Sequence, residues 1–495
     1  MSVSQSHSDI ARGTSWPAAR SDIDWLRSIV IAAGVGWAIA FVVVGLVFAL
    51  QTYGDGAMFS YAVAVRDAWA FHWHNISGRL TVYLLSLAPA ELYVWLTGDP
   101  AGGIVVYGIL FFAAQLVGLA GTFAADRSQG RIVFVFACFS TACLCPLVFG
   151  FPTEMWMAHA LFWPALAVAH DARRGLAGSV LVFALLLALM LTHEAALVLA
   201  AAIVASLALR GLRDRAFLRG LGAFLAALSV WAAVKLLLPP DDYFAAVLLR
   251  AGLDFFDPRI FTSGIVVLVA GVIAAYGLAV LVLAKLTPAK AHLYAAAIVA
   301  VALVVYWLWL DHALHADNRY YLRTLILLGT PMLGLLAALF ALRADGRLKL
   351  RPIFLPHLMQ ALATRGMARA LAGGFALVML VHAVETAKFV SAWTQYKAAV
   401  LALATGSASD PALGDARFVS SARIGADLNR LAWYSTTPYL SAILAGFAPR
   451  RLVMDPRANN YFWLSCATAT ANFKADRAVP AETRDLVRIF SCLHR

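Results

Sequence analysis

The chain has 495 residues, of which 62% are hydrophobic and only 13% carry a charge. Soluble domains carry about 25% charged residues, so this composition excludes an ordinary soluble protein. The net charge of +12 is no sign of nucleic-acid binding, because the basic residues lie in short segments between apolar runs rather than on one face. The sequence therefore predicts an α-helical polytopic membrane protein.

The N-terminal residues 1–27 are polar and contain neither the apolar core nor the cleavage site of a signal peptide. We expect them to form a cytoplasmic tail. The apolar run at 28–50 exceeds the roughly 20 residues that a helix needs to cross the hydrocarbon layer. It is the first predicted membrane span.

Basic residues alternate with the apolar runs in a way that predicts the orientation. Six segments, including the N-terminal tail, together carry 19 Lys or Arg, whereas the six opposing loops carry six. Since cytoplasmic loops carry the excess of positive charge, we place the N-terminus in the cytoplasm. The predicted spans number about eleven: 28–50, 101–125, 131–149, 155–170, 176–191, 195–210, 221–238, 263–284, 293–310, 323–342 and 370–389.

Two apolar segments compete for the second crossing. Residues 80–98 are barely long enough and contain Pro89 and Glu91, whereas residues 101–125 form a long run without charge. We therefore predict that 80–98 forms a juxtamembrane helix on the external surface. In the alternative both segments cross, which would place the basic loop 126–131 outside and break the charge rule.

Residues 391–495 have ordinary polarity and follow the predicted membrane domain, 28–390. Parity places them outside, where we expect a small soluble α/β domain. Cys466 and Cys492 fall in this domain, and a disulfide between them fits an oxidising compartment such as a periplasm. The alternative of two unrelated thiols stays open, because sequence alone does not prove pairing.

Polar residues gather at the external ends of the predicted spans. Ionisable residues at membrane depth are costly, so they commonly mark a functional path. The candidates are Asp55, Arg79, Glu154, His159, His193, Glu194, Asn318, Arg319, Tyr320 and Arg323. Simpler roles are open for three of them: Asp55 as a turn carboxylate, Arg79 as a snorkelling residue and Glu194 as a helix cap.

The order of several short motifs resembles the GT-C superfamily of membrane glycosyltransferases, which use polyprenyl-phosphate-linked sugars. The matching motifs are "YGDGAMF" after the first span, "GRL" before the surface helix, "PTEMW", "LTHE" and "NRYYLR". The resemblance covers about residues 28–390. It implies an inverting transfer in which Asp55 is the general base for an acceptor hydroxyl. One departure is Gly56, which follows Asp55 where many relatives carry a second acid.

The resemblance also implies which groups hold the donor. Arg319 is the first candidate for binding the leaving phosphate and Arg79 the second, because a guanidinium group binds phosphate through two hydrogen bonds. Asn318, Tyr320 and His193 are expected to shape the pocket around the substrate.

No obligatory cofactor is predicted. Glu154 is similar to acids that hold a divalent metal ion in some relatives, but a single carboxylate does not define a metal site. The expected partners are a polyprenyl-phosphate-linked sugar donor, a glycan or glycolipid acceptor, and membrane lipid. The expected location is a bacterial inner membrane, with the C-terminal domain in the periplasm.

Two other functions are compatible with polar residues on one side of a membrane. A lipid-linked glycan ligase or polymerase would share the compartment and the type of donor. A secondary transporter is less favoured, because transporters tend to have paired halves with a binding site near the midplane, and the sequence has no visible internal symmetry.

Overall fold

The chain is almost entirely helical in the part that the structure describes. The computed structural model describes residues 17–70, 72, 78–171, 175–239, 245–246, 249, 252–253, 264–287, 290–310, 323–349, 365–406, 418–433, 436–455, 461–462 and 472–473. Among these residues, every regular element up to residue 406 is helical, and four short strands and a few short helices follow.

The described helices have the following bounds. They are α1 (Pro17–Val47), α2 (Asp55–Ala64), α3 (Ala68–Ala70), α4 (Leu80–Val82), α5 (Ala88–Thr97), α6 (Pro100–Phe112), α7 (Ala114–Ala125), α8 (Ile132–Cys143), α9 (Cys145–Val148), α10 (Glu154–His170), α11 (Leu176–Met190), α12 (Ala196–Ala208), α13 (Arg215–Leu237), α14 (Gly264–Leu286), α15 (Ala291–Val305), α16 (Arg323–Ala344), α17 (Arg365–Thr405), α18 (Ala426–Asn429) and α19 (Thr437–Leu444). A π-helical stretch, Tyr83–Leu87, joins α4 to α5 without a break.

Helix ends lie where the sequence carries residues that favour them. Asp214 precedes α13, and its carboxylate accepts a hydrogen bond from the Ala216 backbone N–H at 2.8 Å, as an N-cap residue does. Pro100 opens α6, where its missing N–H costs no hydrogen bond. These boundary residues separate the apolar runs into distinct helices.

Eight described stretches are long and apolar enough to cross a membrane, so the chain is a multi-pass helical membrane protein. They are Asp24–Val47, Leu80–Thr97, Pro100–Ala125, Arg215–Leu237, Val267–Leu286, Ala291–Trp309, Ile326–Ala344 and Gly366–Thr405. All but Leu80–Thr97 coincide with predicted spans. The other predicted spans fall on the shorter helices α8 to α12, so the count of eleven stays a prediction.

The stretch Leu80–Thr97 is a candidate membrane span, whereas the sequence predicted a surface helix there. Its length and apolarity satisfy the requirements for a crossing. Orientation relative to a membrane does not follow from length and composition, so the surface position of 80–98 stays a prediction.

The chain divides into two compact units. The first comprises Met1–Ala32, Phe261–His312 and Arg351–Leu380, and the second comprises Ala33–Ile260, Ala313–Leu350 and Val381–Arg495. In the first unit α14 packs on α15, and the Tyr276 hydroxyl lies 3.0 Å from Nδ1 of His292.

An aromatic core in the second unit holds α1, α6 and α10 together. Phe41 and Phe111 lie against Trp156, with ring centroids 4.8 and 6.1 Å from it. The Trp156 Nε1–H donates to the Phe111 backbone carbonyl at 3.1 Å, so this buried indole has a polar partner. The packing fixes the first turn of α10, where Glu154 lies.

The predicted domain boundary at 391 falls inside α17, which continues to Thr405. Beyond the boundary, Trp393 Nε1 and Lys397 Nζ both donate to the backbone carbonyl of Phe48, at 3.0 and 2.6 Å. This carbonyl lies just after α1, where a helix end leaves acceptors without an intrahelical partner. The end of α17 therefore stabilises the end of α1.

The C-terminal segment belongs to the second unit. The strands are β1 (Phe418–Ser420) and β2 (Leu452–Met454), which pair in parallel, and β3 (Tyr461–Phe462) and β4 (Asn472–Phe473), which pair antiparallel. Tyr439 of α19 packs against Tyr61 of α2, with ring centroids 5.1 Å apart. Mixed helix and strand structure is present as expected, whereas an independent domain outside the membrane stays a prediction.

Candidate functional site

Asp55 is the first residue of α2, and two glycines hold the chain around it. Gly54 has φ 57°, a left-handed conformation that glycine adopts easily. A Cβ on Gly54 would collide with the ring of Phe151, and a Cβ on Gly56 would collide with the backbone carbonyl of Gln51. The "YGDG" loop therefore packs tightly and leaves the Asp55 backbone little freedom.

We expect Gly56→Ala to destabilise the folded protein by about 1–3 kcal/mol, because the new methyl group meets backbone atoms that cannot rotate away. The measurement is the midpoint of thermal unfolding in detergent micelles. Gly222→Ala is the matched control, since no described heavy atom lies within 4 Å of a Cβ there. A Gly56→Ala protein that unfolds at the parent midpoint would show that the loop is loosely packed.

Four charged side chains form a buried network, which we call the charge cluster: Arg79, Glu154, Glu194 and Lys235. Arg79 Nη1 donates to Glu154 Oε1 at 2.6 Å, and Arg79 Nη2 and Nε donate to Glu194 Oε2 at 2.6 and 3.1 Å. Lys235 Nζ donates to Glu194 Oε1 at 2.8 Å. The four side chains are between 6% and 15% exposed. Two positive and two negative charges balance inside the protein.

Hydrogen bonds bring the "GRL" and "LTHE" motifs together. The Thr81 N–H donates to the carbonyl of Leu191 at 3.2 Å, and the Thr81 hydroxyl donates to the carbonyl of Ala188 at 2.7 Å. His193 Nδ1 accepts a hydrogen bond from the Ala195 N–H at 3.0 Å. These hydrogen bonds hold the turn between α11 and α12 close to Arg79, the residue that precedes α4.

Opposite charges outweigh burial in setting the pKa values of the cluster. Burial alone would raise the pKa of Glu194, but Arg79, His193 and Lys235 hold that pKa below its ordinary value. Burial alone would also raise the pKa of Glu154, but Arg79 lowers the pKa of this carboxyl group below its ordinary value. Burial alone would lower the pKa of Arg79, and the two carboxylates raise it instead. These three residues are therefore charged at neutral pH.

The depressed pKa of Glu194 predicts how stability changes with pH. A carboxylate with a lowered folded-state pKa stabilises the protein above its unfolded pKa, here 4.5, and this contribution is lost as pH falls through the folded value. We expect the difference in thermal midpoint between the parent and Glu194→Gln to show no decrease from about pH 7 to 5 and to shrink below about pH 4. A difference that already shrinks between pH 7 and 6 would show that another group controls the cluster.

Asp55 begins α2, and the next residue, Gly56, packs against Pro152, two residues before Glu154 of the charge cluster. The Asp55 side chain is partly exposed. Asp55 and Glu154 both lie within electrostatic range of the Tyr107 hydroxyl, which is almost completely buried. His193 Nδ1 lies 3.8 Å from Glu194 Oε2, at the edge of the same region. The structure thus brings four of the predicted site residues together: Arg79, Glu154, His193 and Glu194.

Two of the simpler interpretations are wrong. Glu194 does not cap α12, whose N-cap Ala195 has no side-chain cap bond, and the Glu194 carboxylate instead binds Arg79 and Lys235. Arg79 does not snorkel, because its guanidinium group is buried between two carboxylates. These bonds occupy the Nε, Nη1 and Nη2 atoms, so they favour a structural role for Arg79 over the predicted phosphate contact.

His159 lies in a different environment from the one expected of a substrate-binding residue. Its ring is fully buried, with Nε2 2.8 Å from the Ser140 hydroxyl and Nδ1 2.9 Å from Gln115 Oε1. Both ring nitrogens are thus bonded within the protein, as in a core histidine. These contacts give no support to a role at the site.

Lys235 is a site residue that the sequence did not indicate. It lies three residues before the end of the predicted span 221–238, where a lysine resembles an interfacial anchor. Only the path of α13 brings its amino group to Glu194. The lysine's place in an otherwise apolar segment was the one available signal.

Several predicted residues lie outside the described residues: Asn318, Arg319, Tyr320, Cys466 and Cys492. Arg323 begins α16, and its side chain is also outside the description. Within the described part of the chain, no group of three or more His, Cys, Asp or Glu residues could hold a metal ion. A divalent ion at Glu154 stays untested.

Comparison with known proteins gives no match. No protein-family model, no curated protein and no solved structure matches this chain. The resemblance to the GT-C superfamily therefore stays a prediction that depends on the motifs.

Proposed function

We propose that the chain is an inverting glycosyltransferase that moves a sugar from a polyprenyl-phosphate donor to an acceptor hydroxyl on the external face of a bacterial inner membrane. The observation that supports this proposal most is the position of Asp55. Asp55 is partly exposed and begins α2, and both Asp55 and Glu154 of the charge cluster lie within electrostatic range of Tyr107. A reaction centre needs such a combination of one accessible base and rigid surroundings.

In the proposed reaction, Asp55 is the general base. Its carboxylate takes the proton of the acceptor hydroxyl while that oxygen attacks the anomeric carbon from the face opposite the phosphate. The bond between the anomeric carbon and the phosphate oxygen breaks, and the phosphate leaves with the electron pair. The tight packing at Gly54 and Gly56 supports this role, because a fixed base saves the entropy of orienting it.

The charge cluster has a positioning role in this proposal. Arg79 joins the start of α4 to Glu154 on α10 and to Glu194 in the next turn. Since these groups stay charged at neutral pH, they are poor proton carriers and good structural links. We assign the leaving phosphate to Arg319, with Arg323 nearby in sequence, because Arg79 is already engaged by carboxylates.

The helical stretch from Leu80 to Thr97 suits the lipid part of the donor. It exposes large apolar side chains: Leu84, Leu85, Leu92 and Trp95 are between 47% and 65% exposed. Contact with acyl chains or with a polyprenyl tail would stabilise an apolar surface of this kind. The donor's head group would then enter the region of Asp55 from the lipid side.

The decisive experiment compares the parent with Asp55→Asn in lipid nanodiscs, using radiolabelled polyprenyl-phosphate sugars and a glycan acceptor. The parent should release polyprenyl phosphate and form a glycosidic bond of inverted configuration, detected by NMR of the product. The variant should do neither. An Asp55→Asn protein that turns over as fast as the parent would overturn the assignment of the base.

The same assay separates the competing functions. A glycan ligase or polymerase would leave monosaccharide donors intact and transfer a whole oligosaccharide from a lipid diphosphate. A transporter would move an unmodified solute into sealed vesicles and leave every lipid-linked sugar intact. Either result would exclude the proposed reaction.

A further inference from the structure

Trp433, in the segment that follows α17, lies against the loop between α9 and α10. The ring centroids of Trp433 and Phe151 are 5.2 Å apart, and the ring planes meet at 71°. Aromatic pairs favour this edge-to-face arrangement. Phe151 is 1% exposed, so the contact joins the C-terminal segment to the buried core of the second unit.

The same loop packs on both glycines that flank Asp55. A Cβ on Gly54 would collide with the Phe151 ring, and a Cβ on Gly56 would come within 2.5 Å of Pro152 Cγ. Neither glycine has room for a side chain, so this packing sets the position of the YGDG loop. We expect any movement of the Phe151 ring to shift the backbone beside Asp55, because close-packed interiors transmit such displacements.

Helix α17 also holds the YGDG loop. The rings of Phe389 and Trp393 lie 5.0 and 5.2 Å from the ring of Tyr53, the residue before Gly54. A Cβ on Gly150, which has φ 88°, would come within 2.5 Å of Phe389 Cε1. Both α17 rings are completely buried. The helix therefore keeps the YGDG loop and the loop between α9 and α10 in fixed contact.

A second contact places the C-terminal segment on α2, the helix that Asp55 begins. Tyr439 and Tyr61, whose ring centroids are 5.1 Å apart, are both completely buried. The Arg451 N–H donates to the carbonyl of Ala404 at 2.9 Å, which ties the same segment to the end of α17. The segment thus meets the surroundings of the proposed base at two points, one on a loop and one on a helix.

We propose that Trp433 positions the general base: through Phe151 it holds the YGDG loop in the conformation in which Asp55 accepts the proton of the acceptor hydroxyl. This inference rests on the proposed glycosyltransferase function, and it assigns the C-terminal segment a part in the reaction centre. A misplacement of about 1 Å at a reacting group lowers a rate by about 100-fold. Trp433 acts on the base rather than on the donor, so its loss lowers kcat and leaves the KM of the donor unchanged.

The first measurement is hydrogen exchange of the backbone amides at 51–58, followed by mass spectrometry of the protein in nanodiscs. Trp433→Leu removes the ring and keeps an apolar side chain, and Trp433 is only partly buried, so the change is mild for the core. Exchange at 51–58 should become about 3- to 10-fold faster, the range that corresponds to losing one edge-to-face aromatic pair. Exchange in α12 should stay as in the parent.

Two variants serve as controls. Trp433→Phe keeps a ring against Phe151 and should exchange within about twofold of the parent. Trp231→Leu applies the same change to another partly buried tryptophan on α13, which packs on α11 and α12. It should leave exchange at 51–58 unchanged. Where Trp433→Leu does not fold, Trp433→Met fills more of the space left by the ring and gives the same comparison.

The second measurement is steady-state sugar transfer, with each rate divided by the amount of folded protein. Trp433→Leu should lower kcat about 10- to 100-fold and leave the KM of the polyprenyl-phosphate sugar within about twofold of the parent. Trp433→Phe should recover most of the parent kcat. A residue with only a structural role would change the amount of folded protein and leave kcat per folded molecule as it is.

The inference is overturned if Trp433→Leu leaves exchange at 51–58 unchanged, if Trp231→Leu accelerates it as much, or if exchange rises equally throughout the second unit. A Trp433→Leu protein with the parent kcat per folded molecule overturns it as well.

The two measurements also separate this inference from the proposed function. Local exchange that depends on Trp433, in a parent protein that transfers no sugar, supports the contact through Phe151 and rejects the transferase. Sugar transfer by the parent with unchanged kcat in Trp433→Leu rejects the positioning role and keeps the transferase.

Discussion

Asp55→Asn is expected to lower the rate of sugar transfer by a factor of about 10²–10⁴, the contribution that a general base typically makes. The amide has nearly the same shape as the carboxylate but cannot take the proton of the acceptor hydroxyl. Since Asp55 is partly exposed and begins α2, the change should leave the fold intact. Transfer is measured as release of polyprenyl phosphate under single-turnover conditions.

Two controls make this result specific. Asp427→Asn applies the same chemical change to an exposed carboxylate on α18 and should leave the rate unchanged. Thermal unfolding of Asp55→Asn should match that of the parent. A variant that loses activity and stability together would show that Asp55 holds the loop rather than the proton.

Arg79→Met is expected to cost about 3–5 kcal/mol of folding free energy, because it removes the guanidinium group that binds both Glu154 and Glu194. An uncompensated buried carboxylate is far more costly than the lost attraction alone. The measurement is the midpoint of denaturant unfolding in mixed micelles, or the yield of folded protein where the variant does not accumulate. Arg213→Met changes an exposed arginine and should keep the parent midpoint.

A rescue experiment tests the cause of that loss. Replacing all four members of the charge cluster by Met or Gln removes the charges together, and buried ion networks exchanged in this way are often neutral or stabilising. The fully replaced protein should therefore recover most of the stability that Arg79→Met loses. If Arg79→Met unfolds at the parent midpoint, the cluster contributes no stability and its members are free for another role.

Hydropathy predicted most long helices, because apolar runs bounded by polar residues leave few alternatives in a membrane. It was less informative for α8 to α12, where the helices are short and their relation to a membrane depends on packing. Residues 80–98 show the same limit: Pro89 and Glu91 argued against a crossing, yet the helix there is continuous and apolar. The position of a helix in a membrane depends on how the helix packs against its neighbours, and this packing cannot be read from one sequence.

At the site, the sequence identified single residues but not their partners. Arg79, Glu154 and Glu194 stood out because charge is rare in this chain, whereas the network that joins them depends on the paths of several helices. Lys235 was missed for that reason. Asp55 was indicated by its motif.

The charge cluster also constrains how the protein is made. Its four members are delivered by the ribosome one after another, so Arg79 arrives at the membrane long before Glu194 has been synthesised. Until Glu154 follows, the nascent chain holds an arginine that no other member of the cluster neutralises, and Lys235 completes the network last. We expect chains truncated before that point to be less stable in the membrane, because charge without a partner at membrane depth is costly.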